Sequence, residues 1–539
     1  MKNLIIAVSV LVSLVSTSYS QLTELWRKSY TQEIESKIRA YAKDNAGNII
    51  IGGSVGRNQE VANFVILKFD TGGDLLWRNE YNSAIGFHDH LSDVYVDVAG
   101  NIYATGVSTD YSTETTLRTV KYSPGGALLW QKTDSIEVKQ QNNGITKEAF
   151  IKEGTDGSIY ILTNSLGFLT LLKYNPNGTL LYTKDLDLPP GIAYMFARGL
   201  EINSHGLFMT SEFVDNTNYQ YHQLVLKCST SGDTAWTLYE RFGNTFWEGP
   251  GGMTIDGNGN TYHLTQLMLG FTTSKMAVSK IGAGGGIVWT KIFGTGNDNY
   301  RVIPKDIKLD NAGNIIAAAE NTYHVIGNNQ YSEARILKYS QSGDILWNRN
   351  IRSAEINDVA PGSICISADN SIYISGQCPM QSSSSQFVQK FTSAGDSVWN
   401  FNIQGVNYWS IGRYSSIENT GNVYLVSERQ NGVMITKYGI PIGIQNINSE
   451  IPGKFSLSQN FPNPFNPVTN IEFSVPKRGL VKLVVFDMLG REVETLLNKL
   501  TEAGTYRADW NASKYPSGVY FYKLQTEGFS ETKRMVLIK

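Results

Sequence analysis

Lys68-Phe69-Asp70-Thr71-Gly72-Gly73-Asp74-Leu75-Leu76-Trp77 states a phrase that the rest of the chain repeats. A lysine and an aromatic end one extended run. A glycine-bearing turn reverses the chain, and a tryptophan follows on the next run. The phrase returns from Lys121-Tyr122 to Trp130, Lys280 to Trp289, Lys338-Tyr339 to Trp347 and Lys390-Phe391 to Trp399. Its period is roughly 52 residues, within the range of solenoids and propellers. Residues 38–44 alternate apolar and polar, as a half-buried strand does. Asp44-Asn45-Ala46-Gly47-Asn48 is a tight turn, with Asp accepting backbone N–H groups and Gly supplying positive φ. Residues 49–54, 63–70 and 75–81 read as three further strands. Four antiparallel strands per repeat, with no helical period between them, describe a propeller blade.

The first-turn glycine returns at Gly100, Gly157, Gly206, Gly259, Gly313 and Gly421, with Ser371 in its place once. The lysine returns at Lys173, Lys227 and Lys437. The tryptophan returns at Trp236, with Tyr182 in its place in one repeat. Lysines count eight repeats, and the tryptophan position counts eight only if Trp26 is included. Trp26 sits on a fourth strand without its first three, and residues 417–438 supply three strands without a fourth. The N-terminal strand, 22–30, is therefore expected to complete the last blade and remove an open edge. The expected fold is all-β: an eight-bladed propeller, with seven blades as the alternative, followed by a small Ig-like β-sandwich. The repeated tryptophan is expected to pack between blades. The repeated lysine is expected to snorkel along the strand surface.

The turn Asp-x-x-Gly-Asn and the segment Lys-Tyr-x-x-x-Gly-x-x-x-Trp resemble the β-propeller repeat of secreted bacterial proteins. The blades are also distantly similar to those of quinoprotein dehydrogenases. That family carries a vicinal disulfide, and this chain has no adjacent cysteines.

After Tyr438 the pattern stops. Residues 439–454 lack a period and read as a linker. Asn463-Pro464-Phe465-Asn466-Pro467 then opens a module of short alternating runs at 469–474, 480–487, 505–510, 518–525 and 533–538, suited to a small sandwich. Its motifs include Ile471-x-Phe473, Val484-x-x-Asp487-x-x-Gly490-Arg491-Glu492-Val493, Trp510-Asn511-Ala512, Ser517-Gly518-Val519-Tyr520 and Lys533-Arg534-Met535-Val536-Leu537-Ile538-Lys539. Residues 455–539 resemble the type A sorting domain of the type IX secretion system of Bacteroidetes-like bacteria. The resemblance implies a partnership with that machinery and an address at the outer-membrane surface or in the medium. Residues 1–20 agree, with Lys2, an apolar core at 4–15 and Ser18-Tyr19-Ser20 reading as a signal peptide. The propeller then spans 21–438. The apolar core is too short to cross a bilayer.

Composition narrows the task only a little. The net charge is −2, which gives nucleic acid no electrostatic footprint. The three cysteines lack zinc spacing, although Cys365 and Cys378 could meet across neighbouring strands. Gly52-Gly53-Ser54-Val55-Gly56 matches a nucleophile elbow, but no helix follows it. His88-Asp89-His90 reads as polar surface rather than a metal site. Asp256-Gly257-Asn258-Gly259-Asn260 lacks the distal Glu of a calcium loop and reads as a hairpin turn. No catalytic set, metal or cofactor is expected, and the chain is expected to be a monomer. The second and fourth connections of each repeat are the long ones and share a face. That face is expected to bind a glycan, a peptide or a surface partner through His88, Asp89, Trp247, Glu248, Tyr300, Arg301, Tyr408 and Trp409. The alternatives are a secreted propeller enzyme, polysaccharide-degrading or quinoprotein-like, and a structural spacer.

Overall fold

The computed structural model describes residues 23–31, 38–55, 63–82, 88–109, 115–135, 149–165, 168–186, 192–215, 220–240, 247–270, 273–294, 300–325, 329–352, 359–379, 384–403, 411–417, 422–429, 432–439, 444–448, 451–512 and 515–538. Every regular element among them is a strand. Residues 24–438 form one compact unit, and residues 439–539 belong to another.

In the first unit the described strands make eight four-stranded sheets. The first blade orders Ile38–Lys43, Ile49–Val55, Asn63–Phe69 and Leu75–Tyr81 side by side. Blades two to seven follow the same order within 88–135, 150–185, 192–240, 247–293, 300–351 and 360–403. The last sheet has three strands from 411–439 and takes its fourth from Thr23–Thr31, which lies beside Gly432–Gly439. Burial explains the alternation. Ile49, Ile51, Leu67 and Phe69 face one neighbouring blade, while Ile50, Phe64 and Ile66 face the other. Tyr424, Val426 and Ile435 of the last blade share a core with Ile38, Ile49 and Leu67 of the first. The Tyr424 hydroxyl donates to the Thr71 carbonyl at 3.0 Å. The last blade is thus seated on the first, and the array is a propeller.

The repeated phrase is a clamp between blades. The indole N–H of Trp77 donates to the Pro124 carbonyl in the next blade's turn at 3.1 Å, and the Lys68 ammonium donates to the same oxygen at 3.0 Å. Lys121 and Trp130 share the Pro176 carbonyl, and Lys338 and Trp347 share that of Ser393. The indole lies flat on the turn glycine. A Cβ at Gly126 would meet the Trp77 ring at 2.9 Å, and one at Gly395 would meet Trp347 at 2.7 Å. The lysine corrects the snorkelling expectation. Lys68 and Lys338 are each 3% exposed, and each pairs with the aspartate of its own first turn, Asp44 at 2.9 Å and Asp310 at 2.7 Å. The lysine is buried because two acceptors, a carboxylate and a carbonyl, converge on it.

The second unit packs two four-stranded sheets around Trp510, Ile471, Leu483, Tyr522 and Met535. One sheet orders Ile444–Asn448, Gly504–Asn511, Val468–Val475 and Ser456–Leu457. The other orders Glu492–Thr501, Gly479–Phe486, Gly518–Thr526 and Phe529–Leu537. Two features depart from the sequence reading. The stretch read as a linker contributes the strand Ile444–Asn448, and Glu492–Thr501 is a strand that the alternating runs omitted. Glu492–Thr501 is bulged twice against Gly479–Phe486, at Leu496 and Val493, which breaks its alternation. Cys365 lies in Ala360–Ile366 and Cys378 in Ile372–Pro379. Cys365 stands opposite Tyr373 while Cys378 stands opposite Ser385, so the register holds the two cysteines several residues apart along the sheet.

Candidate functional site: the loop face and the channel

Among the described residues the first and third connections of the blades are tight turns. Asp44, for example, accepts the N–H groups of Ala46 and Asn48 through Oδ1, and Gly47 takes φ +86°. Asp256 makes the same bonds to Asn258 and Asn260, so the would-be calcium loop is a turn. In an antiparallel sheet the other two connections must leave from the opposite edge. The candidate residues gather there. His88 and Asp89 open the innermost strand of blade two, Trp247 and Glu248 that of blade five, and Tyr300 and Arg301 that of blade six. Tyr408 and Trp409 lie outside the described residues. Asp89 is wholly buried and accepts the Ser108 hydroxyl, and Arg118 donates to Ser108 in turn. Ser54, centre of the would-be elbow, lies in a strand and is 1% exposed.

Blade six gives this edge its best-defined chemistry. The Tyr300 and Tyr323 rings meet edge to face, with centroids 5.1 Å apart. The Tyr323 hydroxyl donates to Glu333 at 2.8 Å. Arg335 and Asn350 add bonds to the same carboxylate at 2.7 Å and 3.1 Å, and Arg352 adds another. Burial alone would raise the Glu333 pKa. The Arg352 and Tyr323 bonds and the two guanidinium charges outweigh it and hold the carboxyl below its usual range. Burial lifts the Tyr300 phenol to about 12, so it stays a neutral hydroxyl. Arg335 also lies 5.5 Å over Phe293 of the neighbouring blade. The outer guanidinium, Arg352, remains 68% exposed. The result is an aromatic pair beside guanidinium groups, organised on one saturated carboxylate. Sequence reasoning found Tyr300 and Arg301 and missed Tyr323, Glu333, Arg335, Asn350 and Arg352. Tyr323, Glu333, Arg335 and Asn350 lie on strands, outside the connections that supplied the candidates, and Arg352 directly follows a strand. Their signal was the unusual run of charged residues, Glu333, Arg335, Arg349 and Arg352, near the strand ends of one blade.

Beneath this edge lies the central channel. In seven blades the innermost strand is bulged at one level, next to Ala40, Asp93, Gly199, Gly252, Asp306, Ser363 and Tyr414. A bulge re-aims a side chain, and the inserted residues include Arg39, Arg198 and Lys305. Arg198 pairs with Glu212 at 2.6 Å, and Lys305 pairs with Glu320 at 2.8 Å. Asp93 and Asp306 tie neighbouring blades together by accepting the N–H groups of Ile151 and Ile364 at 3.0 Å and 2.9 Å. Burial raises both carboxyls, Asp93 to about 6. Lys152–Glu201 and Lys308–Asp306 continue the lining as loose pairs at 3.6 Å and 3.8 Å. Of these ion pairs only Lys152–Glu201 crosses between blades; that pair and the Asp93 and Asp306 hydrogen bonds tie neighbouring blades together, while the other pairs lie within one blade. Among the described residues no group of three His, Cys, Asp or Glu side chains converges as metal ligands do.

Residues 459–539 match the family described as the secretion system C-terminal sorting domain. No curated protein matches the sequence. Among solved structures, Drosophila Plexin A in complex with Semaphorin 1b is similar at 11% identity and a TM-score of 0.40, covering 78% of this chain and 87% of its own. The β-propeller domain of the Trilobed protease from Pyrococcus furiosus, with an open velcro topology, has 10% identity and a TM-score of 0.36, covering 64% and 95%. The polysaccharide lyase Uly1 has 10% identity and a TM-score of 0.42, covering 76% and 91%. None of the three lends this chain an activity. No helix among the described residues is long and apolar enough to cross a membrane.

Proposed function

Since the propeller ends in a type IX secretion-system sorting domain that carries it to the cell surface or beyond, we propose that the cargo is a non-catalytic binding protein whose ligand is a glycan or a peptide. The observation that carries this reading is the cluster at the loop edge of blade six. Tyr300 and Tyr323 offer aromatic area, and Arg335 and Arg352 offer planar donors. Sugar rings stack on such rings, and guanidinium forks take carboxylates in pairs. Glu333 is the wrong carboxylate for hydrolysis. It is already bonded by four side chains and held ionised, whereas glycosidic cleavage uses a carboxyl pair of which one must hold a proton. Trp247, Glu248, His88, Tyr408 and Trp409 belong to the same proposed face.

A glycan and peptide array on the purified propeller is the test. Hits that weaken at least tenfold in Tyr300→Ala and Arg352→Ala, with melting unchanged, support the reading. Turnover of any arrayed glycan, or hits indifferent to both substitutions, would refute it.

A further inference from the structure

One turn in the sorting domain is built like the turns of the propeller but dressed differently. Asp487 Oδ1 accepts the N–H groups of Leu489 and Arg491 at 2.9 Å and 3.0 Å, and Gly490 takes φ +75°. Arg491 Nε closes back on Asp487 Oδ2 at 2.7 Å. Asp44 and Asp256 fix their turns with the same pair of backbone bonds. The tips of those turns are Asn45-Ala46 and Gly257-Asn258, small or polar. Here the tip is Met488-Leu489, 71% and 77% exposed. Nothing in the turn's own hydrogen bonding requires large apolar side chains, and neither residue belongs to the sandwich core. A rigid turn that holds two such side chains in water marks a contact surface.

The tip borders a groove of about 320 Å³ lined by Phe486, Met488, Phe521, Lys523 and Thr532. Strand register explains its composition. Phe486 stands opposite Phe521, which stands opposite Arg534, and Val484 stands opposite Lys523, which stands opposite Thr532. Directly opposed residues share a face of the sheet. The face therefore presents an aromatic row flanked by Lys523 and the exposed Arg534; the row's carboxylate, Glu492 opposite Phe486, is already engaged by Thr495 and lies 3.6 Å from Lys482. Asp487, which also lines the groove, is spent on its own turn.

We propose that the Met488–Leu489 turn and the Phe486–Phe521 groove form the surface by which this domain docks on a protein of the export machinery. The partner's chemistry follows from the charges: an apolar cleft that receives the two tip side chains, with carboxylates on its rim facing Lys523 and Arg534. This inference rests on the sorting-domain assignment, and the test separates the two.

The full chain is expressed in its producing cell, and the exported and periplasmic fractions are measured for four variants. Removal of residues 455–539 must abolish export; if it does not, the sorting assignment itself fails. Met488→Ser with Leu489→Ser should then lower the exported fraction at least tenfold and leave the melting curve unchanged. Lys523→Glu, which leaves the tip intact, should lower it several-fold. Ile451→Ser removes an equally exposed apolar side chain, 74% exposed and outside the matched family region, and should be exported normally. Wild-type export of the double variant, or an equal loss from Ile451→Ser, overturns the docking surface while leaving the sorting assignment standing.

Discussion

At the residue scale the repeated lysine and tryptophan act as one device. Trp77, Trp130 and Trp347 cover the turn glycines Gly126, Gly178 and Gly395 of the next blade, and Lys68 and Lys338 neutralise the buried side chains of Asp44 and Asp310. Trp347 is 7% exposed, donates to Ser393 and covers Gly395. Trp347→Ala should cost about 3–5 kcal/mol, read as a drop in the denaturation midpoint. Asp310 is 1% exposed and bonded by Lys338 and Asn314. Burial pushes its pKa up, but those bonds outweigh it and hold the carboxyl below its usual range. A lowered folded pKa stabilises the protein above the unfolded value and ceases to do so as pH falls through the folded one. Asp310→Asn should therefore be destabilised at pH 7 by about 3 kcal/mol, because it strands the Lys338 charge. The gap to wild type should narrow below about pH 4. Melting curves of both proteins between pH 7 and pH 2.5 check this, and a constant gap would show that the pair contributes no pH dependence. The sequence displayed the lysine's period but not its burial. Burial depends on Asp44 and Asp310 reaching it across the sheet, which no local pattern encodes.

At the element scale, most strands of the propeller were legible because alternation and Gly turns agreed at nearly every boundary. The sandwich was less so. Glu492–Thr501 is itself doubly bulged, at Val493 and Leu496, and so lost its period. Ile444–Asn448 is an edge strand whose five residues, Ile-Gln-Asn-Ile-Asn, carry only two apolar side chains. One strand decides whether the ring is closed. Thr23–Thr31 lies far in sequence from its neighbour Gly432–Gly439. It also reaches the first blade: Trp26 lies against Gly73, and Tyr30 donates to the Gly73 carbonyl. Removing residues 22–31 would strip both contacts and open the edge of Gly432–Gly439. The truncated propeller should melt at least 10 °C lower and gain a tendency to associate through that edge, read by calorimetry and light scattering. An unchanged melt would mean that the last blade holds the first without its fourth strand.

At the scale of the whole molecule, the repeat makes one face uniform and leaves the other free to vary. Most of the tight turns set an Asp, Asn or Ser against a positive-φ Gly, with Asn370 at φ 62° serving where Gly is absent, so their face has little room to diversify. The long connections carry no such constraint, and sequence reasoning placed the candidate aromatics there. It could not rank them, because which side chains converge depends on the order of blades around the axis and on strand-borne partners such as Tyr323 and Glu333. The two sets of tryptophans should consequently part company under substitution. Trp130 and Trp347 are clamps whose indole N–H groups bond the next blade, so their loss should be read mainly in stability. Trp247 opens a strand at the loop edge of blade five, and Trp409 falls in the connection that leads into the last blade. Neither occupies the clamp position of its repeat. Trp247→Ala and Trp409→Ala should thus leave the melting temperature within about 2 °C of wild type, as substitutions away from core features do. Each should weaken binding of an array-identified ligand by about tenfold, the loss of one stacked ring. Thermal melts and titrations on Trp130→Ala, Trp347→Ala, Trp247→Ala and Trp409→Ala form the complete set. If the loop pair melts as low as the clamp pair, those tryptophans plug the channel, and the binding face must be sought on blade six alone.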